Sequence, residues 1–229
     1  MRPVAVAIMA KAPSAGGVKT RLTPPLTAAE AADLYRCFLL DKIDQVRTLS
    51  DVEPVVAYTP AEAREVFAAL APGFTLLPQR GDDLGARLDT GLADLLARGH
   101  AGAIAIDSDT PTLPTAFLQR GVDLLASAGA DVVVGPCHDG GYYLIGVRTA
   151  RPELFQNIPW STPAVLSATL RRARAAGLTA ICLPEWFDVD TATDLQRLQE
   201  SLDASGAAGP AQTARFFAER SRLFAARGG

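Results

Sequence analysis

Two carboxylates end a short apolar segment near the middle of the 229-residue chain. Residues 103–106 are apolar, Asp107 and Asp109 follow, and Pro111 closes the segment because proline cannot continue a strand ladder. Such a segment is typical of a buried strand, and open α/β sheets bind ligands at the carboxyl ends of their strands. Carboxylate oxygens there suit Mg²⁺ or Mn²⁺ carrying a substrate phosphate. The alternative is that one Asp caps the next helix and the other is solvated.

A loop of small residues and cations follows the first predicted strand, residues 4–9. Lys11, Lys19 and Arg21 surround a pair of glycines that begins at Gly16. Glycines let backbone amides approach a phosphate, and cations neutralise its charge. The loop has neither the Walker pattern nor GxGxxG. It is therefore a phosphate site of another kind, or a mobile solvated loop.

Two more segments contain residues suited to binding. Asp188 and Asp190 lie at a predicted strand-to-helix junction, where Asp190 or Thr191 could instead cap the helix. If Asp190 lies beside Asp109, we expect the two to repel each other in the absence of a metal. Asp139 precedes two glycines and Tyr142, a pattern that suits a polyol or glycosyl group as well as a plain turn.

The elements that must position these residues alternate along the chain as strands and helices. This order predicts an α/β protein with a mostly parallel sheet covered on both faces. The predicted strand at residues 142–147 follows the strand at 131–134 too closely for a crossover, so we expect a mixed sheet. Thr27, with Glu30 three residues later, predicts a capping box at the start of a long helix.

Composition limits the classes of partner. The chain is 48% hydrophobic and 21% charged, with a net charge of −3 and a pI near 5.4. These values are typical of a soluble globular protein and argue against nucleic acid or anionic membranes as partners. No segment approaches the roughly 20 apolar residues of a membrane span. The three cysteines lack a close pair, so we expect buried free thiols and a cytoplasmic location.

The last residues differ from the rest. We predict a domain at residues 1–203, followed by a small-residue linker and an amphipathic tail at 204–229. The tail carries four large apolar residues among basic ones: Phe216, Phe217, Leu223 and Phe224. It could dock on the domain, on a second copy of the chain to give a homodimer, or on a membrane surface.

Five motifs taken together resemble the arsenosugar-biosynthesis-type glycosyltransferases, a family also described as a domain of unknown function. The motifs are Lys11-Ala12-Pro13…Gly16…Val18-Lys19-Thr20-Arg21-Leu22, Asp83-Leu84-Gly85-x-Arg87, Ser108-Asp109-x-Pro111, Asp139-Gly140-Gly141-Tyr142-Tyr143-Leu144-Ile145-Gly146 and Asp188-Val189-Asp190-Thr191. That family belongs to the nucleotide-diphospho-sugar transferase (GT-A) superfamily. It is similar to 2-phospholactate guanylyltransferases and molybdenum-cofactor nucleotidyltransferases. The resemblance covers residues 4–202 and implies a GT-A-like three-layer α/β/α sandwich with a mostly parallel, mixed central sheet.

The resemblance also implies roles for matched positions. The nucleotide phosphates would be held by Lys11, Gly16, Lys19 and Arg21. The pocket for the base and ribose would be lined by Gln79, Gly81, Leu84 and Gly85. The metal would be bound by Asp109 and Asp190, with Asp188 close by. The acceptor or sugar would face Asp139, Gly140, Gly141, Tyr142 and Trp160. We expect the chemistry itself to depend on Lys19, Arg21 and Asp109. The family usually has Gly at the position of Asp107, so Asp109 is the expected ligand.

Three functions fit these motifs. The family favours a glycosyltransferase that uses a nucleotide-diphospho-sugar donor with Mg²⁺ or Mn²⁺. The alternative is a guanylyltransferase-like nucleotidyltransferase that joins an NTP to a phosphorylated small-molecule acceptor and releases pyrophosphate. A third is a non-catalytic nucleotide-binding module. The base, the sugar and the acceptor do not follow from the sequence.

Overall fold

The computed structural model describes residues 2–205 and 209–227, and describes side chains for residues 2–204 and 209–220. The strands are β1 (Val4–Lys11), β2 (Val52–Thr59), β3 (Thr75–Pro78), β4 (Gly102–Ile106), β5 (Val132–Pro136), β6 (Tyr142–Val147) and β7 (Ala180–Cys182). The helices are α1 (Ala28–Arg47), α2 (Arg64–Leu70), α3 (Leu84–Ala97), α4 (Thr115–Ala126), α5 (Val165–Ala175), α6 (Ala192–Ser205) and α7 (Ala211–Arg227). Short 3₁₀ turns lie at Thr20–Leu22, Ala61–Ala63 and Pro152–Leu154.

The strands form one mixed sheet in the order β3-β2-β1-β4-β6-β5-β7. All neighbouring pairs are parallel except those of β6, which runs antiparallel to both β4 and β5. The predicted mixed sheet is confirmed. The reason is the short connection between β5 and β6, which leaves no room for a crossover helix.

Helices cover both faces of the sheet, because side chains alternate between the faces along each strand. Val6 and Ile8 of β1 face a core shared with α1, α2, α4, α6 and α7. Ala5 and Ala7 face a second core shared with α3 and α5. The predicted three-layer α/β/α arrangement follows from these two cores.

Helix α1 begins at the predicted capping box. The hydroxyl of Thr27 accepts from the backbone N–H of Glu30 at 3.2 Å, and the Glu30 carboxylate accepts from the N–H of Thr27 at 2.8 Å. The helix then runs across the face of the sheet, with Phe38 fully buried beneath it. Its length allows one helix to contact both the loops that follow β1 and β4 and the C-terminal segment.

The predicted tail is the helix α7, and it packs on α1. The carboxylate of Asp41 accepts from the N–H groups of Gln212 and Thr213 at 2.9 and 2.8 Å, so α1 caps the first turn of α7. Phe216 is buried in the core next to it. The side chains of Leu223 and Phe224 and the linker residues 206–208 lie outside the described residues. The division at residues 203 and 204 stays a prediction.

The cysteines depart in part from the prediction of buried thiols. All three are free, but only Cys137 is buried, whereas Cys37 is half-buried and Cys182 is exposed. Cys182 is exposed because β7 is a short strand at the edge of the sheet. Within the residues that the structure describes, we find no helix with the length and hydropathy that a membrane crossing requires.

Candidate functional site

Three loops meet where β1 and β4 end. Ile8 pairs with Ile106 in neighbouring parallel strands, so the loops that follow these strands leave the sheet side by side. The third loop precedes α6, and the N–H of Val189 donates to the carbonyl oxygen of Asp109 at 2.9 Å. This hydrogen bond joins the two acidic segments, whose convergence the sequence spacing left open.

Lys19 lies between two of the predicted metal ligands. Its Nζ is 2.8 Å from Asp109 Oδ1 and 2.8 Å from Asp190 Oδ1, and it donates to the Val189 carbonyl at 2.8 Å. Arg21 forms an ion pair with the other oxygen of Asp190. Lys19, Arg21, Asp109 and Asp190 are called the lysine cluster below.

The lysine cluster is charge-balanced without a metal. Burial alone would lower the pKa of Lys19, but the carboxylates of Asp109 and Asp190 raise it above its ordinary value. The sequence predicts that Asp109 and Asp190 repel each other; in this structure the Lys19 ammonium offsets that repulsion, because it forms an ion pair with each carboxylate.

Asp190 is available to the cluster because its neighbours cap α6. The carboxylate of Asp194 accepts from the N–H groups of Asp190 and Thr191 at 3.1 and 2.7 Å. The Thr191 hydroxyl accepts in return from the N–H of Asp194 at 3.4 Å. Thr191 therefore acts as the cap, and the Asp190 side chain is directed to the cations.

A cavity of about 250 Å³ lies against the lysine cluster. Its wall is formed by Lys11, Gly17, Val18, Lys19, Thr20, Arg21, Tyr35, Asp109 and Asp190. Gly16 is absent from this wall; its φ of 74° makes the turn in which the N–H of Gly17 donates to the Ser14 carbonyl at 2.9 Å. The structure thus gives Gly16 a conformational role and puts Gly17 at the cavity.

A second acidic group lies beside the first. The thiol of Cys137 and carboxylate oxygens of Asp139 and Asp188 all lie within 4.8 Å of one another; these three residues are called the thiol cluster. No described cation forms an ion pair with either carboxylate. Burial, followed by the charges of Asp190 and Asp139, raises the pKa of Asp188 to about 6. The thiol cluster therefore carries uncompensated negative charge.

The carboxylates fit a divalent cation. Asp109 Oδ1 is buried, and its cationic partner is Lys19 Nζ, 2.8 Å away. Asp188 lacks a counter-charge, whereas Asp190 already contacts Lys19 and Arg21. Oxygen donors of this kind suit hard cations such as Mg²⁺ and Mn²⁺. Asp109 has one cationic partner, Asp190 has two, and Asp188 has none among the described residues, so Asp109 and Asp188 have more unpaired carboxylate charge to offer an ion than Asp190.

The residues predicted to line a base pocket surround the start of α3. The side chain of Gln79 donates to the carbonyl of Ala57 at 2.7 Å, so its amide nitrogen already has a backbone partner. Gly81 has a φ of 133°, and a methyl group there would lie 2.7 Å from Cβ of Ala86. Leu84 is 47% exposed, unusual for a leucine and suited to covering a flat ring.

Trp160 joins the two groups of residues that the resemblance keeps apart. A methyl group on Gly85 would lie 2.7 Å from the indole nitrogen of Trp160. The rings of Trp160 and Tyr142 meet edge to face, with centroids 6.4 Å apart. The residues predicted for the base pocket and those predicted for the acceptor pocket are therefore joined through Trp160.

The predicted acceptor loop is a tight turn. Asp139 Oδ1 accepts from the N–H of Gly141 at 2.8 Å. Gly140 has a φ of 87°, and a methyl group there would lie 2.2 Å from the Pro163 carbonyl oxygen. Gly140 is thus required by its backbone conformation and by the nearby Pro163 backbone, whereas a methyl group on Gly141 would meet only the Asp139 side chain, 3.1 Å away.

Three residues at or beside the site are not among those predicted from the sequence: Tyr35, Lys42 and Cys137. The Tyr35 hydroxyl contacts the Ser108 hydroxyl at 2.9 Å, and burial raises its pKa to about 12. Lys42 lies two turns later on the same face of α1 and is 1% exposed. Polar residues seven positions apart within the apolar stripe of α1 were the available signal.

A protein-family model matches the middle of this chain. The family model described as "Uncharacterized protein conserved in bacteria (DUF2064)" matches residues 42–162. That is more than half of the 229 residues. The chain belongs to the DUF2064 family. The matched range of this DUF2064 protein includes Asp109 and Asp139, whereas the Lys19 loop and Asp190 lie outside it.

Two relatives are guanylyltransferases. The 3-phospho-D-glycerate guanylyltransferase of Phenylobacterium zucineum (strain HLK1) is 28% identical over 193 residues, covering 82% of this chain and 84% of the relative. The 2-phospho-L-lactate guanylyltransferase of Methanothermobacter thermautotrophicus (strain Delta H) is 27% identical over 195 residues, covering 77% and 76%. The predicted similarity to guanylyltransferases is confirmed.

A solved structure is similar over nearly the whole chain. It is a candidate nucleotide-diphospho-sugar transferase from Desulfovibrio desulfuricans G20, with a TM-score of 0.89, 32% identity and 97% coverage of both chains. The GT-A-like fold is thereby confirmed, and this DUF2064 protein is a transferase. The narrower resemblance to arsenosugar-type enzymes stays a prediction.

Proposed function

We propose that the protein is a metal-dependent nucleotidyltransferase, which joins an NTP to a phosphorylated small-molecule acceptor and releases pyrophosphate. The family resemblance in the sequence favours glycosyl transfer. We nevertheless place nucleotidyl transfer ahead of it, because the two guanylyltransferase relatives each match more than three quarters of this chain. Their acceptors, 3-phospho-D-glycerate and 2-phospho-L-lactate, are phosphorylated hydroxy acids, and we propose an acceptor of that class and a guanine nucleotide here.

The observation that carries the proposal is the cavity at the lysine cluster. Its volume of about 250 Å³ lies below the roughly 300–1,000 Å³ of pockets for drug-sized ligands. It therefore suits phosphate groups rather than a whole nucleotide. Lys11 and Arg21 on its wall offer positive charge, and Asp109 offers carboxylate oxygens for a cation.

The residues of the chain divide the work as follows. Arg21 and Lys11 bind the phosphate oxygens, and Arg21 does so with two parallel N–H groups. Asp109 and Asp188, with Asp190 nearby, would hold the cation. When bound, Mg²⁺ or Mn²⁺ supplies charge stabilisation to the phosphates and the leaving pyrophosphate. Lys19 adds a fixed positive charge where negative charge develops.

The reaction needs no general base. A phosphate oxygen of the acceptor is already ionised near neutral pH, because the second pKa of a phosphomonoester is about 6. That oxygen attacks the α-phosphorus of the NTP, a new P–O bond forms, and the bond to pyrophosphate breaks. The electron pair leaves with pyrophosphate and no proton is transferred, so positioning and charge stabilisation suffice.

Glycosyl transfer from a nucleotide-sugar is the second candidate. The similarity to the Desulfovibrio protein favours it. Asp139 and the aromatic pair Tyr142 and Trp160 could face a sugar, since sugars stack on aromatic rings. The same cavity would then stabilise a departing nucleoside diphosphate.

A panel of ligands tests the proposal. Each NTP and several nucleotide-sugars are added with Mn²⁺, and melting temperatures and pyrophosphate release are measured with and without 3-phospho-D-glycerate or 2-phospho-L-lactate. A ligand at 100 times its Kd stabilises by about 2.7 kcal/mol. Pyrophosphate release that requires both an NTP and an acceptor would support the proposal. Binding of nucleotide-sugars alone would contradict it.

Asp109→Asn is the matched control, because it keeps the shape and removes the charge. We expect this variant to lose Mn²⁺-dependent nucleotide binding and to retain its fold. We propose a cytoplasmic location with this function, in keeping with three cysteines that are all free.

A further inference from the structure

A lysine that none of the motifs contains lies beneath the Asp109 loop. Lys42 on α1 is 1% exposed. Its ammonium donates to the carbonyl oxygen of Thr110 at 2.9 Å, to the Thr110 hydroxyl at 3.0 Å and to the Gln45 side-chain oxygen at 3.0 Å. An ammonium has three N–H groups, so every donor of this buried cation has a partner.

The counter-charge of Lys42 is the Asp107 carboxylate, which is linked to it through the Thr110 hydroxyl. The Thr110 hydroxyl accepts from Lys42 and donates to Asp107 Oδ1 at 2.6 Å. Asp107 is the residue that stands where the resembled family usually has Gly. A buried ammonium without a negative partner is costly, and so is a carboxylate confined in the same way. The positive charge of Lys42 and the negative charge of Asp107 therefore compensate each other through the Thr110 hydroxyl that lies between them.

Helix α1 also holds the loop on both sides of Thr110. The Tyr35 hydroxyl contacts Ser108, and the side chain of Gln45 donates to the carbonyl of Leu113 at 2.5 Å. Together with Lys42, these contacts fix the residues on both sides of Asp109. The Asp109 side chain is the part of the segment left facing the cavity.

We propose that Lys42 is a positioning residue for Asp109, holding Thr110 with Asp107 as its counter-charge so that the Asp109 carboxylate is presented to the cation and nucleotide. The inference rests on the proposed function, since it assumes that Asp109 serves a cation-dependent site. Carboxylates that are misplaced by about 1 Å bind and catalyse poorly, which is why a loop beside a cavity needs such support.

The test compares Lys42→Met, Asp107→Asn and the double variant. Lys42→Met leaves Asp107 uncompensated and frees the loop, so we expect a lower melting temperature and an affinity for Mn²⁺ with GTP that is about tenfold weaker. The double variant removes both charges. We expect it to regain stability but to keep the weak affinity, because the hydrogen bonds to Thr110 are still missing.

Ile43→Val is the matched control, since Ile43 is a buried neighbour on the same helix and packs in the core. It should lower the melting temperature without changing the affinity. An affinity restored in the double variant, or unchanged in Lys42→Met, would overturn the proposal and reduce Lys42 to a structural charge. If Asp109→Asn itself binds Mn²⁺ and GTP normally, the proposed function fails instead.

The position of the loop that carries Asp109 can also be followed without a metal, by tryptophan fluorescence. The chain has two tryptophans, and Trp186 donates from its indole nitrogen to the Thr112 hydroxyl at 3.4 Å. In a Trp160→Phe background, fluorescence quenching by acrylamide reports Trp186 alone. We expect quenching to increase in Lys42→Met and in the double variant, but not in Ile43→Val. Unchanged quenching in both Lys42 variants would overturn the proposal.

Discussion

The lysine cluster and the thiol cluster are neighbouring groups of carboxylates that differ in charge balance: the first is neutral, and the second is negative. In the first, two carboxylates share one ammonium and one guanidinium. In the second, Asp139 and Asp188 lie beside a thiol, and no described cation forms an ion pair with them. A neutralised group can present its cations to an anionic ligand, whereas a group with uncompensated negative charge is suited to an added cation.

The largest effect is expected from removing the shared ammonium. Lys19→Met leaves Asp109 and Asp190 with one fewer counter-charge, and we expect a loss of about 3 kcal/mol in the free energy of unfolding. Urea unfolding measures it. Lys11→Met, at the exposed end of β1, is the control and should change stability little.

Added Mn²⁺ sharpens this test. If a cation can replace the missing charge, Mn²⁺ should stabilise Lys19→Met more than it stabilises the wild-type protein. The same increment in both proteins would show that the lysine cluster is no part of a cation site.

A smaller effect is expected on the outer side of the lysine cluster. Arg21 is 68% exposed in its side chain, so its ion pair with Asp190 adds little to stability. Arg21→Ala should weaken nucleotide binding about tenfold, which corresponds to about 1.4 kcal/mol. Arg21→Lys should also weaken it, because the planar fork is lost.

Isothermal titration with GTP and Mn²⁺ measures both Arg21 variants. Arg47→Ala, which removes a guanidinium paired with Asp44 on α1, is the control. Equal affinity of all four proteins would remove Arg21 from the phosphate site.

The thiol cluster is tested by pH. The folded pKa of Asp188, about 6, lies above the ordinary value of 3.8, so the folded state binds the proton more tightly than the unfolded state. The resulting cost to stability is fully present above pH 6 and disappears as the pH falls below 3.8. After allowance for solvent screening, it is on the order of 1 kcal/mol.

Asp188→Asn should therefore raise the melting temperature at pH 8 in the absence of metal and leave it unchanged near pH 4. Asp33→Asn, on the exposed face of α1, is the control. A lower melting temperature at pH 8 would mean that Asp188 is already compensated, and the comparison between the two clusters would not hold.

The smallest effect concerns the thiol. Mn²⁺ prefers oxygen ligands, whereas Cd²⁺ prefers thiolate. Cys137→Ala should leave Mn²⁺ affinity nearly unchanged and weaken Cd²⁺ affinity several-fold. Competition between the two ions, followed by titration, measures both affinities. Equal Cd²⁺ affinity in both proteins would place the Cys137 thiol outside the reach of a bound ion.

The sequence predicted those parts of the site that depend on local order. The apolar segment before Asp109 is the strand β4, and the short connection before Tyr142 correctly predicted an antiparallel strand. The capping box at Thr27 involves only Thr27 and Glu30, with two residues between them. In each case, the sequence pattern that predicts the element lies within a few residues along the chain.

What the sequence left open depends on distant contacts. Lys19 meets Asp190, which is 171 positions away, so its role as a shared counter-charge could not follow from spacing. Lys42 reads as a solvated helix residue until the face of α1 that meets the sheet is known. The contact between Gly85 and Trp160 brings residues of the two predicted pockets together, and it too could not be predicted without the fold.

The start of α7 has a practical consequence for making this protein. Three donors from Gln212 and Thr213 reach the single carboxylate of Asp41. An expression clone stopped after α6, where the recognisable motifs end, would lose all three and uncover the apolar strip on which Phe216 packs. We expect such a shortened product to be recovered as inclusion bodies. That outcome would place the 17-residue helix α7 in the folding unit, although none of the proposed site residues lies on it.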